Sequence, residues 1–372
     1  MPEQTKLVTV VDERLASFLS SREEAMAVIS PDLGHLADYA RNLLGNGKRF
    51  RARFCYWGWR AAQTSLDAID QVGGTETLSD IEPVVSLATS LEVFHAAALV
   101  HDDIMDNSDT RRGFASAHRS FESIHHQRGY SGGGARFGES TALLLGDLLL
   151  AWSDDLLTEA LGQQDPTVAH ATRTEFTRMR QEVTLGQYLD IHEEAAWLHT
   201  ALDERLERAL RVVTYKSAKY SMEAPLLIGA SLAGATAEVL EDLSAFGLPL
   251  GIAFQLRDDL LGVFGDSEVT GKPSGDDLRE GKRTALIAVG EQSMPPGAQS
   301  LFNELLGDRS LTGEQIDVLQ STLRRTGAVE EVEALIDQYS KDALIALESA
   351  RIAPGAKKEL SRLAAAVTQR QS

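Results

Sequence analysis

Apolar and polar positions alternate with helical spacing over most of the chain. Apolar residues recur every three or four positions from about Thr9 to Ile29, stopping before Pro31, and again from about Leu33 to Leu44. The polar stretch Thr64 to Asp80, with Gly73-Gly74 inside it, predicts a surface loop. Pro83 to Val100, rich in Val, Leu, Ala and Phe, predicts a central buried helix. The glycine-rich stretch Tyr130 to Gly138 predicts a flexible connector, and it lacks the GK[ST] ending of a phosphate-binding loop. Helices are predicted over Glu139 to Leu161 and from about Thr167 to Glu194. Tyr215 to Tyr220 is read as a helix end before the apolar run Ala224 to Ala233. A further run begins near Leu248, with Gly262 and Gly265 as its stop. Gly313–Arg325, Val329–Leu347 and Gly355–Val367 complete the chain as packing helices. Stretches rich in Ala, Leu, Glu and Arg, with few alternating Val/Ile/Thr runs, make this an all-α protein. No Pro- or Ser-rich linker divides the 372 residues, so a single domain, 1–372, is predicted.

The central helix ends in Asp102, Asp103 and Asp106, followed by Asn107, Ser108 and Asp109. Asp102 and Asp106 lie one turn apart on one face. Two carboxylates so placed near a helix C-terminus repel each other and oppose the macrodipole. A hard divalent cation such as Mg²⁺ resolves that conflict. Arg111 and Arg112 follow at once, and guanidinium pairs with phosphate in bidentate fashion. A second acidic pair, Asp258-Asp259, closes the run from Leu248, just after Phe254-Gln255. Either pair alone reads equally well as a solvated helix end. Two helices that each end in an Asp pair could also face one another across a cavity and share metal ions. Basic residues after a glycine turn, Lys48-Arg49-Phe50-Arg51, suit an anion at a helix start, or else a solvated turn. His95 lies seven residues before Asp102, on nearly the same face. A lone His on an apolar helix is otherwise a core residue. Together the carboxylates, implied metal and cations suggest a bound polyphosphate.

Composition narrows the field. A formal charge of −19 excludes a generally basic nucleic-acid surface and makes the local Lys/Arg clusters more informative. Cys55 is the only cysteine, so neither an intrachain disulfide nor a Cys-based zinc site can form, and its aromatic neighbours place it in the core. His192-Glu193-Glu194 does not complete HExxH, because Ala196 stands where the second His belongs. The N-terminus lacks a signal-peptide pattern, Thr141 to Trp152 is too short to span a bilayer, and no C-terminal Cys invites prenylation. A cytoplasmic protein, not integral to a membrane, is expected.

From roughly Gly47 to Thr284 the chain resembles the trans-type polyprenyl diphosphate synthases, with DDxxD at Asp102 to Asp106 and the family's motifs in order. The resemblance implies a large helical bundle around a deep cavity (the isoprenoid synthase fold), a homodimer, and three Mg²⁺ per site on Asp102, Asp103, Asp106, Asp258 and Asp259. It implies that isopentenyl diphosphate is held by Lys48, Arg51, His95 and Arg112, and an allylic diphosphate by Lys216 and Arg111. Ser217, Gln187 and Gln255 would stabilise the allylic cation, with Gln187 and Asp190 belonging to a GQxxD element. Lys272 and Lys282 would contact diphosphate from the lid and the segment after it. The chain departs from the family at Ala52, where Pro is usual, and at Gly262, where the second motif often carries a third Asp.

Product length is expected to follow the central helix. Ala98 and Ala97 are small where aromatic residues in this family close the pocket at C15. Four residues of helix span about 6 Å, so Phe94, roughly 12 Å below Asp102, is the candidate floor. Geranylgeranyl diphosphate is the expected product, with a farnesyl or longer-chain synthase as the alternative. A class I terpene cyclase would not need Lys48, Arg51 and His95. A non-catalytic regulatory subunit would usually lack the first aspartate motif.

Overall fold

The computed structural model describes residues 3–45, 47–63, 78–265 and 274–368. Helix α1 (Glu3–Ile29) turns at Ser30, whose hydroxyl accepts from the Asp32 N–H, and α2 (Gly34–Gly45) packs back on it. Helix α3 (Phe50–Ala62) starts from Arg49 in left-handed backbone, φ 51°. Helix α4 (Leu78–Met105) carries Pro83 near its N-terminal end. The expected Thr64–Asp80 loop falls mostly outside the described residues, and 78–80 already belong to α4. At the other end Asp106 N still bonds Asp102 O at 2.8 Å, and Asn107 (φ 50°) breaks the helix.

The all-α expectation holds apart from one antiparallel ribbon of two-residue strands, β1 (Thr110–Arg111) and β2 (Phe114–Ala115), with Arg112 and Gly113 at its turn. After α5 (Ala117–Gln127), α6 (Gly134–Leu161) begins within the predicted connector. Its glycines serve packing, not flexibility: a Cβ on Gly138 would lie 2.2 Å from the His118 carbonyl. Helix α7 (Pro166–Ala196) is N-capped by Asp165.

Two predicted helix ends are corrected. Helix α8 (Leu202–Val212) runs without a break through a π-helical stretch, Val213–Glu223, into α9 (Ala224–Leu232). Tyr215 to Tyr220 therefore lies inside a continuous helical path. Helix α10 (Ala237–Phe264) starts well before Leu248, passes Pro249 and Gly262, and is capped only at Gly265. Its polar first turns (Glu238, Glu241, Asp242) hid the N-terminal half from an apolar reading. The chain closes with α11 (Asp276–Glu280), α12 (Ala285–Gln292), α13 (Pro296–Leu305), α14 (Gly313–Arg325), α15 (Ala328–Ser349) and α16 (Pro354–Thr368).

The buried apolar residues form two clusters. The larger gathers Leu87 and Leu91 of α4, Leu145 and Leu149 of α6, and Leu226 of α9. The second gathers Trp197, Leu286, Phe302, Leu323 and Ile336. Helix α10 belongs to both, giving Phe246 and Leu250 to the first and Leu256 and Leu260 to the second. Helices α4 and α10 are long and apolar enough to cross a membrane, yet 78% and 50% of those stretches are buried inside the bundle. Both carry an aspartate motif at their C-terminal ends.

Candidate active site

A cavity of about 610 Å³ opens between the C-terminal ends of α4 and α10, the start of α3, α7 and the π-helical stretch. One wall is acidic and lysine-bearing. Asp102 Oδ1 lies 3.1 Å from Lys216 Nζ, and Arg111 approaches Asp102 Oδ2 at 3.6 Å. Lys216 also donates to Asp190. Gly186 permits this, since a Cβ there would lie 2.3 Å from the Lys216 backbone N. Close contact of α7 with the π stretch thus points Gln187 and Asp190 into the cavity, as the GQxxD reading implies. Burial alone would raise the Asp102 pKa, but Lys216, Lys282 and Arg111 outweigh it and hold the carboxyl well below the usual range. Asp106 sits behind Lys282, 3.2 Å away. There burial and the Asp102 charge prevail over Lys282 and push its pKa up.

Asp103 differs from its neighbours. It is buried outside the cavity lining and accepts a 2.8 Å bond from Arg111 Nε. The sequence grouped it with the metal-facing carboxylates; here it anchors an arginine.

On α10, Asp258 and Asp259 line the cavity. Gln255, expected beside the leaving group, donates to Asp259 Oδ1 at 2.8 Å, while the buried Asp259 Oδ2 has no hydrogen-bond partner among the described residues. Burial pushes the Asp259 carboxyl up to about 7, opposed by the Gln255 bond and reinforced by Asp277 and Asp258. Gly262 is filled from elsewhere: a Cβ on it would lie 1.9 Å from Asp277 Oδ2 of α11. The carboxylate that the second motif lacks on α10 is therefore brought alongside by α11.

The facing wall is basic. Lys48, Arg51 and Arg112 line it together with His95. Arg51 donates to Ser221 Oγ at 2.8 Å, and Arg112 to the Leu43 carbonyl at 2.6 Å. Burial first, then Arg51, Arg112, Arg111 and Arg49, lower the His95 pKa well below its ordinary value, so the ring is neutral. Ser217 faces the cavity beside Lys216. Ala98 lines it too, whereas Ala97 is fully buried. Phe94 is not part of the cavity lining; it is buried edge-on to Tyr220, which does line it, at 5.8 Å, and to Phe176 at 6.3 Å. Lys272 lies outside the described residues.

Three sets of contacts escaped the sequence reading. Buried Arg49 pairs with Asp12 at 2.8 Å and Glu92 at 3.6 Å, fixing the start of α3. Arg309 donates to the Asn107 carbonyl at 2.6 Å and also to that of Asp106, satisfying the end of α4, while Ser108 bonds Glu280 at 2.6 Å. Tyr220 hydrogen-bonds His95.

The acidic residues fit Mg²⁺. The donors are oxygens, Asp259 Oδ2 has no hydrogen-bond partner among the described residues, and burial makes the charged forms of Asp106 and Asp259 costly without a further cation beside them. Among the described residues no three His, Cys, Asp or Glu groups converge on one point. Such a set suits an ion that takes one or two carboxylates and completes its shell with water and substrate phosphate. A metal-ready acidic wall opposite an arginine wall can bind two diphosphates in one cavity.

This bundle, with aspartate motifs at the ends of two core helices, has the isoprenoid synthase fold. The polyprenyl synthetase family profile matches residues 34–323, and the chain belongs to that family, whose members are trans-prenyltransferase enzymes. A solved geranylgeranyl pyrophosphate synthase from Corynebacterium glutamicum, complexed with isoprenyl diphosphate and magnesium, is 38% identical with a TM-score of 0.89, over 98% of this chain and 99% of that one. Geranylgeranyl diphosphate synthase of Saccharolobus solfataricus is 30% identical over 82% of this chain and 84% of the relative. Geranylfarnesyl diphosphate synthase of Aeropyrum pernix is also 30% identical, over 78% and 83%.

Proposed function

We propose that the protein condenses isopentenyl diphosphate with an allylic diphosphate (dimethylallyl, geranyl or farnesyl) and releases mainly geranylgeranyl diphosphate. The observation that carries this reading is the pair of unlike groups lining one cavity: Asp102, Lys216 and Asp258, and Arg51, Arg112 and His95. A cyclase with a single diphosphate has no use for the second wall.

In this reading Lys216 and Arg111 grip the allylic diphosphate. Asp102, Asp106 and Asp258 would hold three Mg²⁺, whose charge would be balanced against that developing on the leaving group. The allylic C–O bond breaks with its electron pair leaving on the diphosphate. Ser217, Gln187 and Gln255 present oxygens to the resulting carbocation. Lys48, Arg51, His95 and Arg112 hold isopentenyl diphosphate so that its double bond attacks the cation, and the released diphosphate takes the proton. Ala98 leaves the tail room to pass, and the packing of Phe94 against Tyr220 and Phe176 supports a floor beyond C15.

We read the chain as one domain working as a cytoplasmic homodimer. Exposed Leu143 and Leu144 on α6, at 51% and 64%, support a partner on that face. Labelled isopentenyl diphosphate, each allylic primer and Mg²⁺, followed by chromatography of the dephosphorylated products, tests the function. A C20 alcohol is expected. Cyclised hydrocarbon without isopentenyl incorporation, or no turnover, would overturn the reading.

A further inference from the structure

Tyr220 stands where the basic wall meets the pocket floor. Its ring is 5% exposed, edge-on to Phe94 and with the Arg51 guanidinium 4.2 Å above it. Its hydroxyl lies 2.8 Å from His95 Nδ1. Two hydrogen-bond polarities are open to that pair, and they present different atoms to the cavity.

Both partners are neutral. Burial raises the phenol above its ordinary range, and burial with four surrounding arginines keeps the imidazole unprotonated. A neutral imidazole has one N–H and one lone pair. If Nδ1 carried the proton, the buried phenol would have no hydrogen-bond acceptor for its own among the described residues, because the Arg51 guanidinium that also approaches its oxygen only donates. Nε2 would also turn a lone pair toward an anion. If the phenol donates to Nδ1, both faults vanish, and Nε2–H becomes a donor aimed into the cavity that His95 lines.

We propose that Tyr220 is a positioning residue for isopentenyl diphosphate: its O–H donates to His95 Nδ1 and so selects the tautomer whose Nε2–H meets the diphosphate. This rests on the reading that the His95 wall receives isopentenyl diphosphate. The same ring also supports Arg51, which Ser221 holds from its other side. One side chain thereby aligns a neutral donor and a cation on the same ligand.

Tyr220→Phe keeps the ring, the cation–π contact and the packing, and removes only the oxygen. Losing one hydrogen bond that orients a ligand group predicts a rise in KM for isopentenyl diphosphate of about fivefold, with a smaller change in kcat and in KM for the allylic primer. In a His95→Ala background the same substitution should add nothing. Histidine ¹⁵N spectra of the full chain with isopentenyl diphosphate alone should show His95 protonated at Nε2, and a mixture of tautomers in Tyr220→Phe. An Nδ1-protonated His95 in the wild type, an unchanged KM in Tyr220→Phe, or an equal rise in the His95→Ala background would each overturn the proposal. The spectra need no turnover, so a chain that fails to elongate any primer refutes the proposed function while leaving the tautomer result standing.

Discussion

The Lys216 ammonium stands between two carboxylates, 3.1 Å from Asp102 Oδ1 and bonded to Asp190 on its other side. It touches both α4, through Asp102, and α7, through Asp190. Lys216→Ala is expected to raise KM for the allylic primer about tenfold, more than that for isopentenyl diphosphate. Thermal melting should also fall, because Asp102 and Asp190 would face each other uncompensated. Steady-state kinetics with each substrate varied, and a melting curve, check both effects.

Lys48→Ala and Arg51→Ala should show the opposite split. Each removes a charge-assisted contact from the basic wall, so KM for isopentenyl diphosphate should rise by roughly tenfold with the allylic KM little changed. Equal effects on both substrates would mean that the cations are divided wrongly between the walls.

Asp102→Ala and Asp258→Ala should each lower turnover by roughly a hundredfold to a thousandfold while the helical circular dichroism is retained. Asp103→Asn should act differently. Its partner is Arg111, so the expected change is in substrate KM more than in Mg²⁺ dependence. Titrating Mg²⁺ against rate in the three variants separates the roles, and near-normal turnover in Asp102→Ala or Asp258→Ala would remove the metal assignment.

Gly262→Asp is expected to keep turnover within a few-fold of wild type, since its site is already served by the Asp277 carboxylate 1.9 Å from the new Cβ. The Asp277 side chain must swing away to admit it, so a lower melting temperature should accompany the substitution. A large gain in rate would show that the glycine handicaps the enzyme.

Ala98→Phe should shorten the product toward C15, because Ala98 lines the cavity directly. Phe94→Ala should lengthen it and also cost about 3 kcal/mol of stability, since Phe94 is 5% exposed and packs on two aromatic rings. Product chromatography and denaturant unfolding read the two effects, and an unchanged distribution in both variants would remove α4 as the ruler.

The parts of the site that were legible in the sequence are those written within one helix. Asp102 and Asp106 announce themselves by spacing, as does the Asp258-Asp259 pair at a helix end, and Gln187 with Asp190 by their resemblance to the GQxxD element. What stayed hidden depends on contacts between distant segments. Asp103 looks like its neighbours until the ribbon brings Arg111 over it. Gly262 looks like a missing ligand and a helix stop until α11 places Asp277 against it. The π-helical stretch has no period of its own in the hydrophobic pattern, so Tyr220 carried no sign that it would meet His95, 125 residues earlier. Helix α10 was half-hidden for a simpler reason: its first turns are acidic.

The cavity lies where the two buried clusters meet, with α10 rooted in both. A diphosphate bound across that junction would act as a keystone. By mass action, precursor and Mg²⁺ then stabilise the intact fold against partial opening and the proteolysis that follows. Such coupling would make the lifetime of the chain follow the supply of the diphosphates it binds.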